Sequence, residues 1–183
     1  MRSLGIDVGV RRGLDLVLLE TPRSVIEVRS HITTADLPAL ITDLRPDAIA
    51  IDSPPSIGNG APRKTEVVIR KRGISLYATP WEEEKITHSF YDWMRVGFRA
   101  FAASAAAGFP LFSGASYAGS AFEIFPYGAA VVLSGSLRPK ETKKAVWRHG
   151  VLEAQGVDTT GLKGIDQIDA ALGALTGLLA LEG

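Results

Sequence analysis

The stretch LGIDVGVRRG, residues 4–13, is an apolar run that takes on one acid, Asp7, before it passes into glycines and arginines. Residues 3–8 read as a buried strand, and a carboxylate at the end of such a strand is costly unless a cation, a donor set or a metal meets it. Gly9 and Gly13 bracket a turn, and a second apolar run, LDLVLLE, starts at Leu14, so the first two strands form a hairpin. SVIEVRSHI (24–32) reads as a third strand. A helix follows, with Thr33 or Thr34 as its N-cap, Leu37, Leu40, Ile41 and Leu44 at helical spacing, and Pro46 as its stop. DAIAIDSPPS (47–56) is then a buried fourth strand ended by two prolines. A helical crossover returns the chain in the same direction, so the fourth strand runs parallel to the first in a mixed sheet. If those strands are neighbours, Asp7 and Asp52 project from the same sheet edge.

Residues 57–81 read as loop plus a short basic helix, RKTEVVIRKRG, and one long helix is expected over about 83–107. Ile86, Phe90, Met94, Phe98 and Phe101 would share its buried face. SYAGSAFEIFPY (116–127) holds a fifth strand centred on Phe122–Ile124 and stopped by Pro126. PKETKKAVWRHGVLEAQG reads as a helix with proline in its first turn and Gly156 at its end. The last helix carries the stripe Ile165, Ile168, Leu172, Leu175 and Leu179. The expectation is one domain over 1–183, with a helical insertion at about 57–112 between the fourth and fifth strands.

Hydrophobic residues make up 46% of the chain and charged ones 22%, as in an ordinary soluble globule. Twenty basic residues balance 20 acidic ones, which counts against a dedicated polyanion binder but leaves room for a local basic groove. With no cysteine, disulfides, thiolate metal sites and cysteine nucleophiles are excluded, and a reducing cytoplasm fits. The start of the chain, one early arginine and a strand broken by Asp7, does not read as a signal peptide. No membrane span is expected: the Ala/Gly-rich 100–112 region comes nearest and is too short and too small-chained.

Asp166 and Asp169 lie three apart at the start of the last helix and share one face. At about 100° per residue they fall beside the apolar stripe, not opposite it. The plain alternative is a pair of first-turn acids favoured by the helix dipole. Glu123 stands among apolar and aromatic neighbours and points to the face opposite Phe122 and Ile124; alternatively it is an exposed residue on a half-solvated strand. Asp52 could equally cap the turn after its strand. Carboxylates gathered at one edge raise one another's pKa unless a cation is present. Their hard oxygens suit Mg²⁺ or Mn²⁺, and two such ions would serve an in-line phosphoryl displacement.

This order of elements, with an acid ending the first strand, another ending the fourth and DQIDA opening the last helix, resembles the ribonuclease H-like superfamily. The Asp-x-x-Asp-Ala start is similar to that of its Holliday-junction resolvase branch. GIDVG, AIDSPPS, the R-x-x-E-x-x-x-R of PRKTEVVIRKRGI, FEIFPY and DQIDAAL, spread from about residue 4 to 176, resemble the family called domain of unknown function 429. Its members are described as predicted ribonuclease H-like nucleases. The resemblance implies a five-stranded mixed sheet with helices on both faces and catalytic acids at Asp7, Asp52, Glu123 and one or both of Asp166 and Asp169. A relative's His-Pro pair after the fifth-strand Glu is replaced here by Phe125-Pro126, so no histidine role carries over.

The expected activity is metal-dependent phosphodiester hydrolysis on nucleic acid. Asp7 would bridge two ions, Asp52 and Glu123 would each complete one side, and Asp169, with Asp166, would place the ion carrying the attacking water. Arg63 and Arg70, beside Lys71 and Arg72, could hold phosphates; an i,i+4 pair between Glu66 and Arg70 explains them equally well. Lys140, Lys143 and Lys144 would form part of one helix face, either phosphate-tracking or simply solvated. Trp81, Tyr91 and Trp93 could stack bases, fill the core or, within the aromatic-rich 81–101 segment, face a second copy of the chain. Two other readings compete. One is a non-catalytic ribonuclease H-like binding module. The other is a nucleotide binder of the sugar-kinase or actin type, for whose second phosphate loop and second domain the chain has no room.

Overall fold

The computed structural model describes residues 1–183. Strands β1 (Arg2–Val8), β2 (Leu14–Glu20), β3 (Ser24–Ile32), β4 (Ala48–Ile51) and β5 (Ala121–Glu123) form one sheet in the order β3-β2-β1-β4-β5. The first three are antiparallel neighbours, while β4 lies parallel to β1 and β5 parallel to β4. The helices are α1 (Leu37–Leu44), α2 (Lys64–Lys71), α3 (Glu83–Ile86), α4 (Asp92–Ala106), α5 (Pro126–Ser134), α6 (Lys144–Ala154) and α7 (Gly164–Glu182). Helix α1 is the crossover that makes β4 parallel. The mixed sheet expected from the sequence is the one observed.

Side chains alternate along each strand, so the sheet feeds two cores. On one face Leu4, Ile6, Leu16, Leu18, Ile49 and Ile51 pack with Leu37 and Ile41 of α1 and with Ala100 and Phe101 of α4. On the other, Val17 and Leu19 meet Ile168, Leu172, Leu175 and Leu178 of α7, backed by Ala130 of α5 and Leu152 of α6. Helix α7 comes unusually close to β1. A Cβ on Gly5 would stand 1.9 Å from the Ala170 carbonyl oxygen and 2.4 Å from the Ala174 nitrogen, and one on Gly177 would stand 2.0 Å from Ser3 Oγ. Without side chains at these points, helix backbone rests directly on strand backbone at Gly5 and on the Ser3 side chain at Gly177.

The elements differ from expectation in five places. The N-cap of α1 is Asp36, not Thr33 or Thr34; the Thr33 hydroxyl instead donates to the Asp36 carboxylate at 2.6 Å. The long helix over 83–107 is broken into α3, a 3-10 turn at Ser89–Tyr91, and α4. His88 adopts extended backbone (φ −65°, ψ 138°) and its ring Nδ1 accepts the Phe90 N–H, so a new helical turn starts there. Met94 and Phe101 of the expected face are buried, but Phe90 is 48% exposed. Pro126 not only ends β5 but also opens α5, since proline suits a first helical turn. Helix α6 starts at Lys144, because the Thr142 N–H closes a turn on the Pro139 carbonyl. Lys140, Lys143 and Lys144 therefore do not share a helix face. Finally, α7, not 100–112, is the one helix long and apolar enough to cross a membrane, with mean hydropathy 1.3. More than half of that window is buried, and its apolar length serves the core beneath the sheet.

Candidate active site

Asp7 and Asp15 sit directly opposite each other on β1 and β2. Both lie on the α7 face of the sheet, as Gly5 and Val17 do. Asp52 follows the last residue of β4, and its N–H donates to the Ile6 carbonyl at 2.9 Å, which fixes it beside Asp7. From above, the first two turns of α7 bring down Asp166 and Asp169. The result is two overlapping groups that share Asp7. Carboxylate oxygens of Asp7, Asp52 and Asp169 lie within 4.8 Å of one another, and so do those of Asp7, Asp15 and Asp166.

Each acid meets a different environment. Asp15 is buried and accepts a hydrogen bond from Ser30 Oγ, which in turn accepts one from Gln167 Nε2 at 2.9 Å. Asp169 is 4% exposed, accepts from Arg148 at both oxygens and lies 3.3 Å from Lys144 Nζ. Burial nonetheless raises its pKa, against the pull of Arg148 and Lys144. Asp7 takes no hydrogen bond and no ion pair. Burial first, then the charges of Asp52, Asp169, Asp166 and Asp15, push it up to about 9. Burial and Asp169 push Asp52 up to about 7, opposed by Arg148 and Lys144. Hard oxygens converging on a point where two carboxylates resist ionisation fit a divalent ion such as Mg²⁺ or Mn²⁺.

Glu123 does not join either group. Strand alternation turns it away from Phe122 toward the α2 side, where Arg63 grips both of its oxygens, Nη1 to Oε1 at 2.8 Å. It is the one expected acid that lies outside both carboxylate groups, paired with Arg63, although it lines the same cleft as Asp52 and Asp169 and its charge still raises Asp52. Arg63 also donates to Thr79 Oγ1 at 3.2 Å, and the Thr79 N–H donates to buried Glu66 at 3.1 Å. The Glu66–Arg70 pair, one of the two readings of these residues, is absent, because Glu66 is turned to Thr79 and Arg63 while Arg70 donates to the Leu76 carbonyl at 3.3 Å. Lys140 and Lys143 are exposed and do not line that cleft.

Asp52 and Asp169 line a cleft of about 560 Å³. Arg63, Lys144 and Arg148 line it, together with Tyr77, Trp93 and Phe125. Two residues that matter here escape a reading of the sequence by element. Asp15 could have been found by counting back across the Gly9–Gly13 turn from Asp7. Arg148 could have been found as a basic residue in phase with buried Val151 and Leu152. Lys144, the last lysine of the basic run named from the sequence, stands one turn before Arg148 and reaches Asp169 at 3.3 Å.

The family model described as a protein of unknown function, DUF429, matches residues 5–183. The chain belongs to that family. Among solved structures, the DUF429 chain is similar to Thermus thermophilus RuvC in complex with a Holliday junction substrate. The TM-score is 0.58 at 16% identity, covering 100% of this chain and 96% of that one. A second structure of Thermus thermophilus RuvC gives 0.54 at 16% identity, covering 96% and 92%. This likeness shows the ribonuclease H-like fold. No curated protein matches the sequence.

Proposed function

We propose that the DUF429 chain is a metal-dependent nuclease that hydrolyses phosphodiester bonds in nucleic acid. One observation carries the reading: Asp7, Asp52 and Asp169 bring their oxygens within 4.8 Å of one another, and Asp7 has no partner in the chain to offset its charge. These three would hold a divalent ion, Mg²⁺ or Mn²⁺, and Asp15 and Asp166 would complete a second position around the shared Asp7. A divalent ion bound there supplies Lewis acidity to a phosphoryl oxygen and makes a neighbouring water more acidic. The chain's own residues do the rest. Lys144 and Arg148 stand at the cleft end of the acids and attract the phosphate. Arg63 ties the Glu123 carboxylate back, so that it does not repel an incoming phosphodiester. The RuvC neighbour is in complex with a Holliday junction, and nucleic acid is the substrate class proposed here by that likeness.

The non-catalytic module keeps one observation in its favour: Arg148 already offsets the charge of Asp169. Calorimetric titration with Mn²⁺ and Mg²⁺, paired with cleavage of labelled single-stranded, duplex and branched DNA and RNA, separates the two. The nuclease reading expects metal binding and cleavage, both lost in Asp7→Asn. Metal binding equal in parent and Asp7→Asn, with no substrate cut, refutes it.

A further inference from the structure

The cleft beside the acids is lined by two chemically different sets of residues. One is Asp52, Asp169, Lys144 and Arg148; the other is Ile69, Leu76, Tyr77 and Trp93. Tyr77 is 69% exposed, an unusual position for an aromatic ring with no burial to gain, and Phe90 holds it edge-to-face at a centroid distance of 5.4 Å. The Arg63 grip on Glu123 fixes α2 to the sheet, and the Thr79 N–H, donating to Glu66, ties the segment after α2 back to that helix. Beside the acids, Lys144 and Arg148 both pair with Asp169, and the exposed Lys144 ammonium keeps donors for an anionic oxygen.

We infer that this cleft takes one unpaired nucleotide, with its base stacked on Tyr77 and its phosphate turned toward Lys144 and Arg148. The inference rests on the nuclease reading and names its substrate class: single-stranded or locally unpaired nucleic acid, not continuous duplex. At about 560 Å³ the cleft has the volume of a small-ligand site, not of a surface that tracks a duplex groove. In a continuous duplex the faces of every base are covered by its neighbours, so an exposed stacking ring is of use only to a base already out of the stack. Trp93 and Leu76 would close the base end against water.

The test uses the full chain carrying Asp7→Asn, without metal, so that cleavage plays no part. Probes are oligonucleotides with 2-aminopurine in a single strand, in a one-nucleotide bulge and within a continuous duplex. Single strand and bulge should bind at least about tenfold tighter than duplex, with 2-aminopurine fluorescence quenched. Adding Tyr77→Ala should weaken that binding about tenfold and abolish the quenching, while Tyr77→Phe retains both. Equal binding of duplex and single strand, or no change in Tyr77→Ala, overturns the inference. The nuclease reading fails separately: preferential binding of unpaired nucleotides, with no Mn²⁺-dependent cleavage by the parent, removes that reading and leaves this one. Metal-dependent cleavage of continuous duplex at the parent rate by Tyr77→Ala removes this one and leaves that.

Discussion

Replacing Asp7 by Asn should stabilise the metal-free protein, and should do so increasingly as the pH rises. Burial and four neighbouring acids raise Asp7 from 3.8 to about 9. Between those values the folded chain holds a proton that the unfolded chain has released. Stability therefore falls with pH by at most about 1.4 kcal/mol per unit for this one group. The cost is absent below the unfolded value, grows through the window and is constant above about 9. From pH 5.5 to 7.5 the ceiling is about 3 kcal/mol, and relaxation of the half-buried site brings the expected loss to about 1.5 kcal/mol. For a chain of this size that is a fall in Tm of about 3–6 °C from Asp7 alone, which Asp7→Asn should lack while keeping the smaller fall due to Asp52 and Asp169. Thermal melts of parent and variant in chelator, at matched ionic strength across that range, measure the difference directly. With Mn²⁺ the order should reverse, the parent gaining Tm and the variant little, because ion binding stabilises only the fold that holds the site. A difference between the two proteins that does not change with pH, or a parent whose stability rises through the window, refutes the reasoning.

Other outcomes follow from the same contacts. Arg148→Met removes the buried partner of Asp169 and should cost about 3 kcal/mol in urea unfolding in chelator, with part of the loss recovered in Mn²⁺. Glu123→Gln should leave Mn²⁺ affinity within about twofold, whereas Asp52→Asn should weaken it about tenfold or more by calorimetry, since only Asp52 lies in a carboxylate group. Gly5→Ala sets a methyl against the Ala170 carbonyl and should destabilise the fold by about 3 kcal/mol or abolish soluble expression.

The sheet was legible because its signals are local: period-two alternation in β1 and β2, a glycine-bracketed turn, and prolines after α1 and β4. Asp7, Asp52 and Asp169 were legible for the same reason, each being a charge in an apolar setting. What escaped depends on contacts between distant segments. Glu123 looked like its fellows in sequence, yet strand phase turned it to Arg63, sixty positions away. Asp15 lies in an equally apolar run and becomes meaningful only once the hairpin register sets it opposite Asp7. The break before α4 came from His88 taking a capping role that no hydrophobic spacing reports. Helix α5 was hidden by its proline, which ends a strand and opens a helix with the same fixed φ.

The missing side chain at Gly5 reaches beyond packing. Because the backbone of α7 is seated on β1 with no flexible group between them, Asp7 and Asp169 are spaced by main chain alone. Such a frame has little slack to widen around a larger guest. Mg²⁺ asks for oxygens at about 2.1 Å in near-octahedral array, while Ca²⁺ prefers longer bonds and more of them. A rigid floor of this kind discriminates by ionic radius, so calcium should be the poorer occupant of this pocket.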